Sequence, residues 1–241
     1  MVQNKNILII IPAYNEEKSI GRIIDNIKIH IPSADILVVN DGSLDLTSKV
    51  AKSKGVFVID LPYNLGIGAA MQAGYKFARE GDYDIAVQCD GDGQHPPYQI
   101  KNLITPLLEK KTDIVVGSRF LGKFGYRSSI SRQIGIILFS WLLSIITKTR
   151  LTDTTCGFRA INKKAIISFA FYYPTDYPEV EALVLAHKEG LRITEVPIRI
   201  YPRKQGISSI GFLSSFYYTV KVLLAVLIDL FETVPHKKEN V

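Results

Sequence analysis

Asp90-Gly91-Asp92-Gly93-Gln94-His95 places two carboxylates one residue apart, with glycines that permit a sharp turn between and after them. Oxygen ligands at that spacing suit Mg²⁺ or Mn²⁺, which share their coordination sphere with substrate phosphates, and a cation so held can neutralise a departing diphosphate. Asp and Gly are also what any tight turn prefers, so this motif alone supports both a metal site and a plain turn. Asp41-Gly42-Ser43, with Asp45 two residues on, is similarly two-sided. A carboxylate there can accept hydrogen bonds from a nucleobase or ribose, while Ser43 or Asp45 can cap a helix, the better reading for Asp45. Asn64-Leu65-Gly66-Ile67-Gly68 is glycine-rich but has neither G-x-G-x-x-G spacing nor a following Gly-Lys-Ser/Thr, which excludes dinucleotide and P-loop sites. Its glycines instead let a helix start approach the sheet or a ligand closely.

The elements that must position these groups are legible as short aliphatic runs. Residues 6–11, 36–39, 56–59, 85–87 and 114–116 read as strands, and Ile20, Ile23, Ile24 and Ile27 mark a helix, with others starting near Asp45 and spanning 67–79. Strands alternating with helices predict an α/β fold, a mostly parallel central sheet flanked by helices. Ligands of such sheets bind beyond the carboxyl ends of the strands. Tyr14-Asn15-Glu16, Asp41-Gly42-Ser43, Asp90-Gly91-Asp92 and Ser118-Arg119 all fall there.

Beyond residue 120 the character changes. Residues 134–146 carry no charge, and 212–231 form a longer apolar stretch broken by Lys221 and Asp229. The first is short for a bilayer span, which needs about twenty residues, and the second holds two charges. Both suit amphipathic helices lying in a membrane interface, with core burial the rival for 133–147 and oligomer packing for the second. The division expected is a catalytic domain over 1–210 and a C-terminal apolar helix with a polar tail over 211–241.

The formal charge of +6 is unevenly spread: residues 114–152 and 196–228 contain no Asp or Glu. Such fields attract phosphates or anionic lipid, or are ordinary solvated faces. Aliphatic rather than stacking flanks argue against nucleic acid. Two cysteines, Cys89 and Cys156, are too few for a disulfide framework and match no zinc spacing, which fits a reducing compartment. The apolar run at residues 7–11 is too short for a signal-peptide core, so the cytoplasm is the expected location.

Six ordered motifs together resemble the inverting family 2 glycosyltransferases of the GT-A fold. They are Pro12-Ala13-Tyr14-Asn15-Glu16, Asn40-Asp41-Gly42-Ser43, the Asn64/Gly66 loop, Asp90 to Pro96, Gly117-Ser118-Arg119-Phe120, and Asp153-Thr154-Thr155-Cys156-Gly157-Phe158-Arg159. Within that family they are similar to the dolichol-phosphate mannosyltransferase and polyprenyl-phosphate glycosyltransferase branch, over about residues 6–210. The resemblance implies that Pro12, Tyr14, Glu16 and Asp41 hold the nucleotide, with Asn64 and Gly66 also substrate-binding. Asp90, Asp92 and Gln94 would hold Mg²⁺ or Mn²⁺ and the diphosphate, and Arg119, Arg132 and Arg203 would receive an acceptor phosphate. Asp153 and Arg159 fall at the site by family position. Asp153 is the first choice of base if the acceptor is a hydroxyl, with Glu179 and Glu181 behind it. Asn40 departs from the family's Asp-Asp-Gly-Ser, and no transmembrane hairpins follow Phe231.

The implied reaction moves a hexose from a UDP- or GDP-sugar to a polyprenyl phosphate, the protein lying peripherally on the inner face of the cell membrane. A growing cell-surface polysaccharide or glycolipid is the alternative acceptor. A catalytically silent nucleotide-sugar-binding partner is the alternative of another class; its signature would be lost metal ligands, and Asp90, Asp92 and Gln94 are all present. A second copy of the chain or an integral-membrane protein remains open as a partner.

Overall fold

The structure, a computed structural model, describes residues 5–122, 130–201 and 221, the side chains of 130–134 excepted. Seven strands form one sheet: β1 (Ile7–Ala13), β2 (Asp35–Asn40), β3 (Phe57–Asp60), β4 (Ile85–Gln88), β5 (Ile114–Ser118), β6 (Arg159–Asn162) and β7 (Ile193–Pro197). Their order is β3-β2-β1-β4-β6-β5-β7. All neighbours are parallel except β6, which runs antiparallel to both β4 and β5. The expected mostly parallel sheet and its first five strands are present.

The middle of the sheet is aliphatic because helices cover both faces. Leu8 to Ile11 and Leu37 to Val39 are fully buried. Helix α1 (Ile20–His30) buries the predicted stripe Ile20, Ile23, Ile24 and Ile27. Helices α2 (Thr47–Ser53), α3 (Ile67–Glu80) and α4 (Ile100–Leu108) follow β2, β3 and β4. Tyr75 of α3 packs against Phe169 of α6 (Lys163–Phe171) and against Tyr173.

The chain goes outward from β1 through β2 to β3, then returns to place β4 on the other side of β1. That reversal opens a crevice beyond the carboxyl ends of β1 and β4. Pro12 to Glu16 and Asp90 to Asp92 are what the chain places there.

Helix α5 (Ile130–Thr147) buries one face and exposes the other. Ile136, Phe139 and Leu143 are buried, while Ile137, Leu138, Trp141 and Ile145 stay exposed, Trp141 by 62%. The buried face packs on α7 (Pro178–Lys188). Among the described residues no helix is long and apolar enough to cross a membrane. The expected C-terminal helix, the boundary at 210 and Arg203 lie outside the described residues, as does the side chain of Arg132.

Asp113, just before β5, ties the far edge of the sheet together. Its carboxylate accepts from Arg192 N–H at 2.8 Å, Arg192 Nε at 3.1 Å and Asn162 Nδ2 at 2.9 Å. Burial pushes its pKa up, but these donors outweigh that and hold it at about 2, below the ordinary 3.8. A lowered carboxylate pKa contributes stability that is present above pH 3.8 and is lost as pH falls through 2. Because Arg192 is exposed and screened, we expect about 1–2 kcal/mol from this group. Asp113→Asn should flatten the acid limb of the stability curve in that window, as read by denaturant melts from pH 5 downward.

Candidate active site

One wall of the crevice is made of two loops bonded to each other. After β1 the chain turns at Asn15, which has φ +54°, a conformation Asn tolerates better than most residues. Asn15 N–H donates to Ser43 Oγ at 2.9 Å, and its Oδ1 accepts from Leu44 N–H at 2.9 Å. Glu16 N–H donates to Thr47 Oγ1 at 2.8 Å and Glu17 N–H to Asp45 Oδ2 at 3.1 Å. Asp45, one position before the N-cap Leu46, accepts through Oδ1 from Thr47 N–H at 2.9 Å and also lines the cleft.

Asp41, at the end of β2, organises the second wall. Its two oxygens accept from Leu65 N–H at 2.8 Å and Gly66 N–H at 2.9 Å, fixing the Asn64–Gly66 loop ahead of α3. Gly42 is required beside it: φ is +66°, and a Cβ would sit 2.4 Å from the Tyr63 carbonyl carbon. The Asn40 departure also has a local cause. Asn40 Nδ2 donates to Asp60 Oδ1 at 2.8 Å, where an aspartate would set two carboxylates against each other.

The Asp90–His95 turn closes the crevice opposite. Asp92 Oδ1 accepts from Gln94 N–H at 2.9 Å, and the Gly91 carbonyl accepts from Ser19 Oγ at 2.8 Å. The Gln94 carbonyl accepts from Tyr201 N–H at 3.0 Å. Gln99 reinforces that link by donating to the Arg199 carbonyl at 2.7 Å and accepting from Arg199 N–H at 2.8 Å. Buried His95 stacks on Phe158 with ring centroids 4.8 Å apart and accepts from Asp90 N–H through Nδ1 at 3.3 Å. Desolvation lowers its pKa to about 4, so near neutral pH its single ring proton sits on Nε2.

These walls enclose a cleft of about 990 Å³ lined by Pro12, Tyr14, Glu16 and Asp41 on one side and by Asn64, Gly66, Asp90 and Asp92 on the other, with Lys18 at its edge. The nucleotide and metal residues expected from sequence therefore share one cavity, Gln94 standing next to it in the turn. Among the described residues no three His, Cys, Asp or Glu side chains converge into a ready-made metal cage. Two carboxylates with a neighbouring amide are nevertheless the donor set that Mg²⁺ or Mn²⁺ uses when phosphates complete its sphere.

Arg119 and Asp153, expected as separate groups, are each other's partners. Nε and Nη2 of Arg119 donate to the two Asp153 oxygens at 2.6 Å each, Arg119 N–H donates to Oδ2 at 3.0 Å, and Nη2 also reaches Thr155 Oγ1 at 2.8 Å. Asp153 is fully buried and does not line the cleft. To act as a base toward a hydroxyl acceptor, Asp153 would have to part from the Arg119 guanidinium that both of its oxygens face.

Arg159, expected among the substrate-binding residues, is buried, and its donors go to the carbonyls of Cys156, Thr154 and Glu179, so it ties the loop to the start of α7. Of the two fallback carboxyls, Glu181 accepts from Tyr177 N–H at 3.1 Å. Glu179 is half-buried, and desolvation, with Asp90 adding to it, pushes its pKa up against the pull of Arg159.

Gly157 passes close over the Asp90–His95 turn. A Cβ there would lie 2.8 Å from Gln88 Nε2 and 3.1 Å from Asp90 Oδ1, so a side chain moves the end of Gln88 and presses on the Asp90 carboxylate. Gly157→Ala is expected to weaken Mn²⁺-dependent nucleotide binding by roughly 10-fold, the usual scale for disturbing a ligand's support. Titration of the nucleotide with the metal checks this.

The motifs contain Asn15 and His95 but gave neither a role, and nothing in the sequence pointed to Gln99 or Glu195.

Comparisons with known proteins bear on the family and the fold. The model of Glycosyl transferase family 2 matches residues 8–169. The UDP-N-acetylglucosamine–dolichyl-phosphate N-acetylglucosaminyltransferase of Methanococcus voltae is 32% identical over 251 residues, covering 94% of this chain and 99% of that protein. The undecaprenyl-phosphate mannosyltransferase of Micrococcus luteus is 31% identical over 224 residues, covering 85% and 87%. Among solved structures, the Mycobacterium tuberculosis glucosyl-3-phosphoglycerate synthase in complex with Mn²⁺, UDP and phosphoglyceric acid superposes with a TM-score of 0.71. It has 20% identity and covers 97% of this chain and 80% of that one, a likeness of fold. The chain belongs to glycosyl transferase family 2: it is a glycosyltransferase of the GT-A fold, related to the polyprenyl-phosphate sugar transferases.

Proposed function

We propose that this enzyme transfers a hexose, with inversion, from a UDP- or GDP-sugar to a polyprenyl phosphate at the inner face of the cell membrane, using Mg²⁺ or Mn²⁺. The observation that carries the reading is the single cleft shared by the Asp41 loop, Asp90 and Asp92. Nucleoside and diphosphate would lie between the two walls, Asp41 accepting from the base or ribose while it holds the Asn64–Gly66 loop. Asp90, Asp92 and Gln94 would hold the metal, which supplies charge neutralisation for the departing diphosphate.

An ionised phosphate oxygen of the acceptor forms the new bond to the anomeric carbon as the bond to the nucleoside diphosphate breaks. Such a nucleophile needs no strong base, in keeping with an Asp153 that is occupied by Arg119. Arg119, fixed as a flat guanidinium, would position the acceptor phosphate, as would Arg132 and Arg203; planar multi-donor recognition is what arginine supplies and lysine does not. The lipid acceptor is supported by the acceptors named for the relatives above. It is also supported by the exposed apolar face of α5, Ile137, Leu138, Trp141 and Ile145, followed by exposed Lys148 and Arg150, a composition suited to an interface.

The test is transfer of label from UDP- and GDP-sugars to a short polyprenyl phosphate and, in parallel, to an oligosaccharide. Labelled lipid phosphate is the expected product. Transfer to the saccharide alone would overturn the acceptor assignment and leave the donor site standing.

A further inference from the structure

Glu195 of β7 lies outside every motif, yet its carboxylate is half-buried and fully engaged. Thr152 N–H donates to both of its oxygens at 2.8 Å, Thr152 Oγ1 donates to Oε2 at 2.7 Å, and Asp153 N–H donates to Oε1 at 2.8 Å. Thr152 Oγ1 is also 2.6 Å from Ser118 Oγ, at the end of β5 and next to Arg119. One carboxylate from a neighbouring strand thus holds the backbone of Asp153, whose side chain in turn holds Nε, Nη2 and the main-chain N–H of Arg119. Desolvation, with the Asp153 charge adding to it, raises the Glu195 pKa despite its hydrogen bonds. A neutral chain-tethering residue would avoid that cost, so the need is for an acceptor-only group facing several donors at once.

We propose that Glu195 is a positioning residue for acceptor recognition, acting through Thr152 and Asp153 to set the Arg119 guanidinium. This rests on the reading above that Arg119 meets the acceptor phosphate. Glutamine at 195 keeps the volume, and its Oε1 can still accept from Thr152 and Asp153 N–H, but its NH₂ then meets Thr152 N–H where Oε2 had accepted, so Thr152 must shift and Arg119 with it. The donor cleft is lined by residues that end or follow β1, β2, β3 and β4, and Glu195, Thr152, Asp153 and Arg119 are not among its lining residues.

The experiment compares steady-state kinetics of Glu195→Gln, Glu195→Asp and Arg119→Lys with polyprenyl phosphate as the varied substrate, then with nucleotide sugar varied. For Glu195→Gln we expect the acceptor KM to rise about 10-fold while the donor KM stays within 2-fold, with Glu195→Asp intermediate. Equal rises in both KM values, or no rise in either, would overturn the positioning role. If Arg119→Lys leaves the acceptor KM unchanged, the acceptor reading of Arg119 fails instead. Should Glu195→Gln not fold, Thr152→Val removes only the hydroxyl arm; an acceptor KM raised about 3-fold supports the proposal and an unchanged one overturns it.

Discussion

Asp92→Ala is expected to lower kcat by about 10³-fold or more, since charge stabilisation at a leaving diphosphate is worth several kcal/mol and each 1.36 kcal/mol is a factor of about ten. Asp92 lines the cleft, is half-buried, and accepts from Gln94 N–H within its own turn. The fold should therefore survive, with a melting temperature within a few degrees of the parent. Product formation under saturating Mn²⁺ and donor is the measurement. Undiminished transfer by this variant would remove Asp92 from the site.

Asp153→Ala should behave in the opposite way, failing first in stability. It leaves the buried Arg119 guanidinium facing an empty space where two charge-assisted hydrogen bonds were. Breaking a buried pair from one side costs about 3–5 kcal/mol, which in a chain of this size lowers the melting temperature by roughly 10 °C. Removing both charges with side chains of similar volume, as in Arg119→Met with Asp153→Leu, should restore most of that stability, because the cost lies in the unpaired charge. The double variant should nonetheless remain inactive toward the acceptor. Thermal melts of the three proteins decide this; an Asp153→Ala protein as stable as the parent would mean that the pair is not closed in solution.

How far the sequence went depended on whether a feature was local. The first five strands and the α1 stripe were legible because burial on both faces of a parallel sheet leaves unbroken aliphatic runs, such as Leu8 to Ile11. Strand β6 was not: Arg-Ala-Ile-Asn is four residues long with a polar group at each end, and its antiparallel pairing is decided by neighbours far away in sequence. The cleft was legible because its residues sit at strand ends, where chain direction alone brings them together.

Orientation was not legible. Arg159 and Asp153 stand in a family motif beside the site, but a position in a motif does not say whether a side chain points to the cleft or into the loop that supports it, and both point inward. Glu195 carried no signal, because a single glutamate in a strand reads as surface until the loop that it anchors is folded against it. For α5 the length criterion could not choose between core and interface, since one apolar helix here presents Leu143 to the core and Trp141 to the outside.

The central claim is that Asp90 and Asp92 hold a cation that in turn holds the nucleoside diphosphate. Calorimetric titration of UDP and GDP into the enzyme, with Mn²⁺ and then with EDTA, tests it most directly, with Asp92→Ala as the comparison. The account predicts tight binding of one of the two nucleotides with Mn²⁺, and its loss both in EDTA and in the variant. Equal affinity in all three conditions would contradict it.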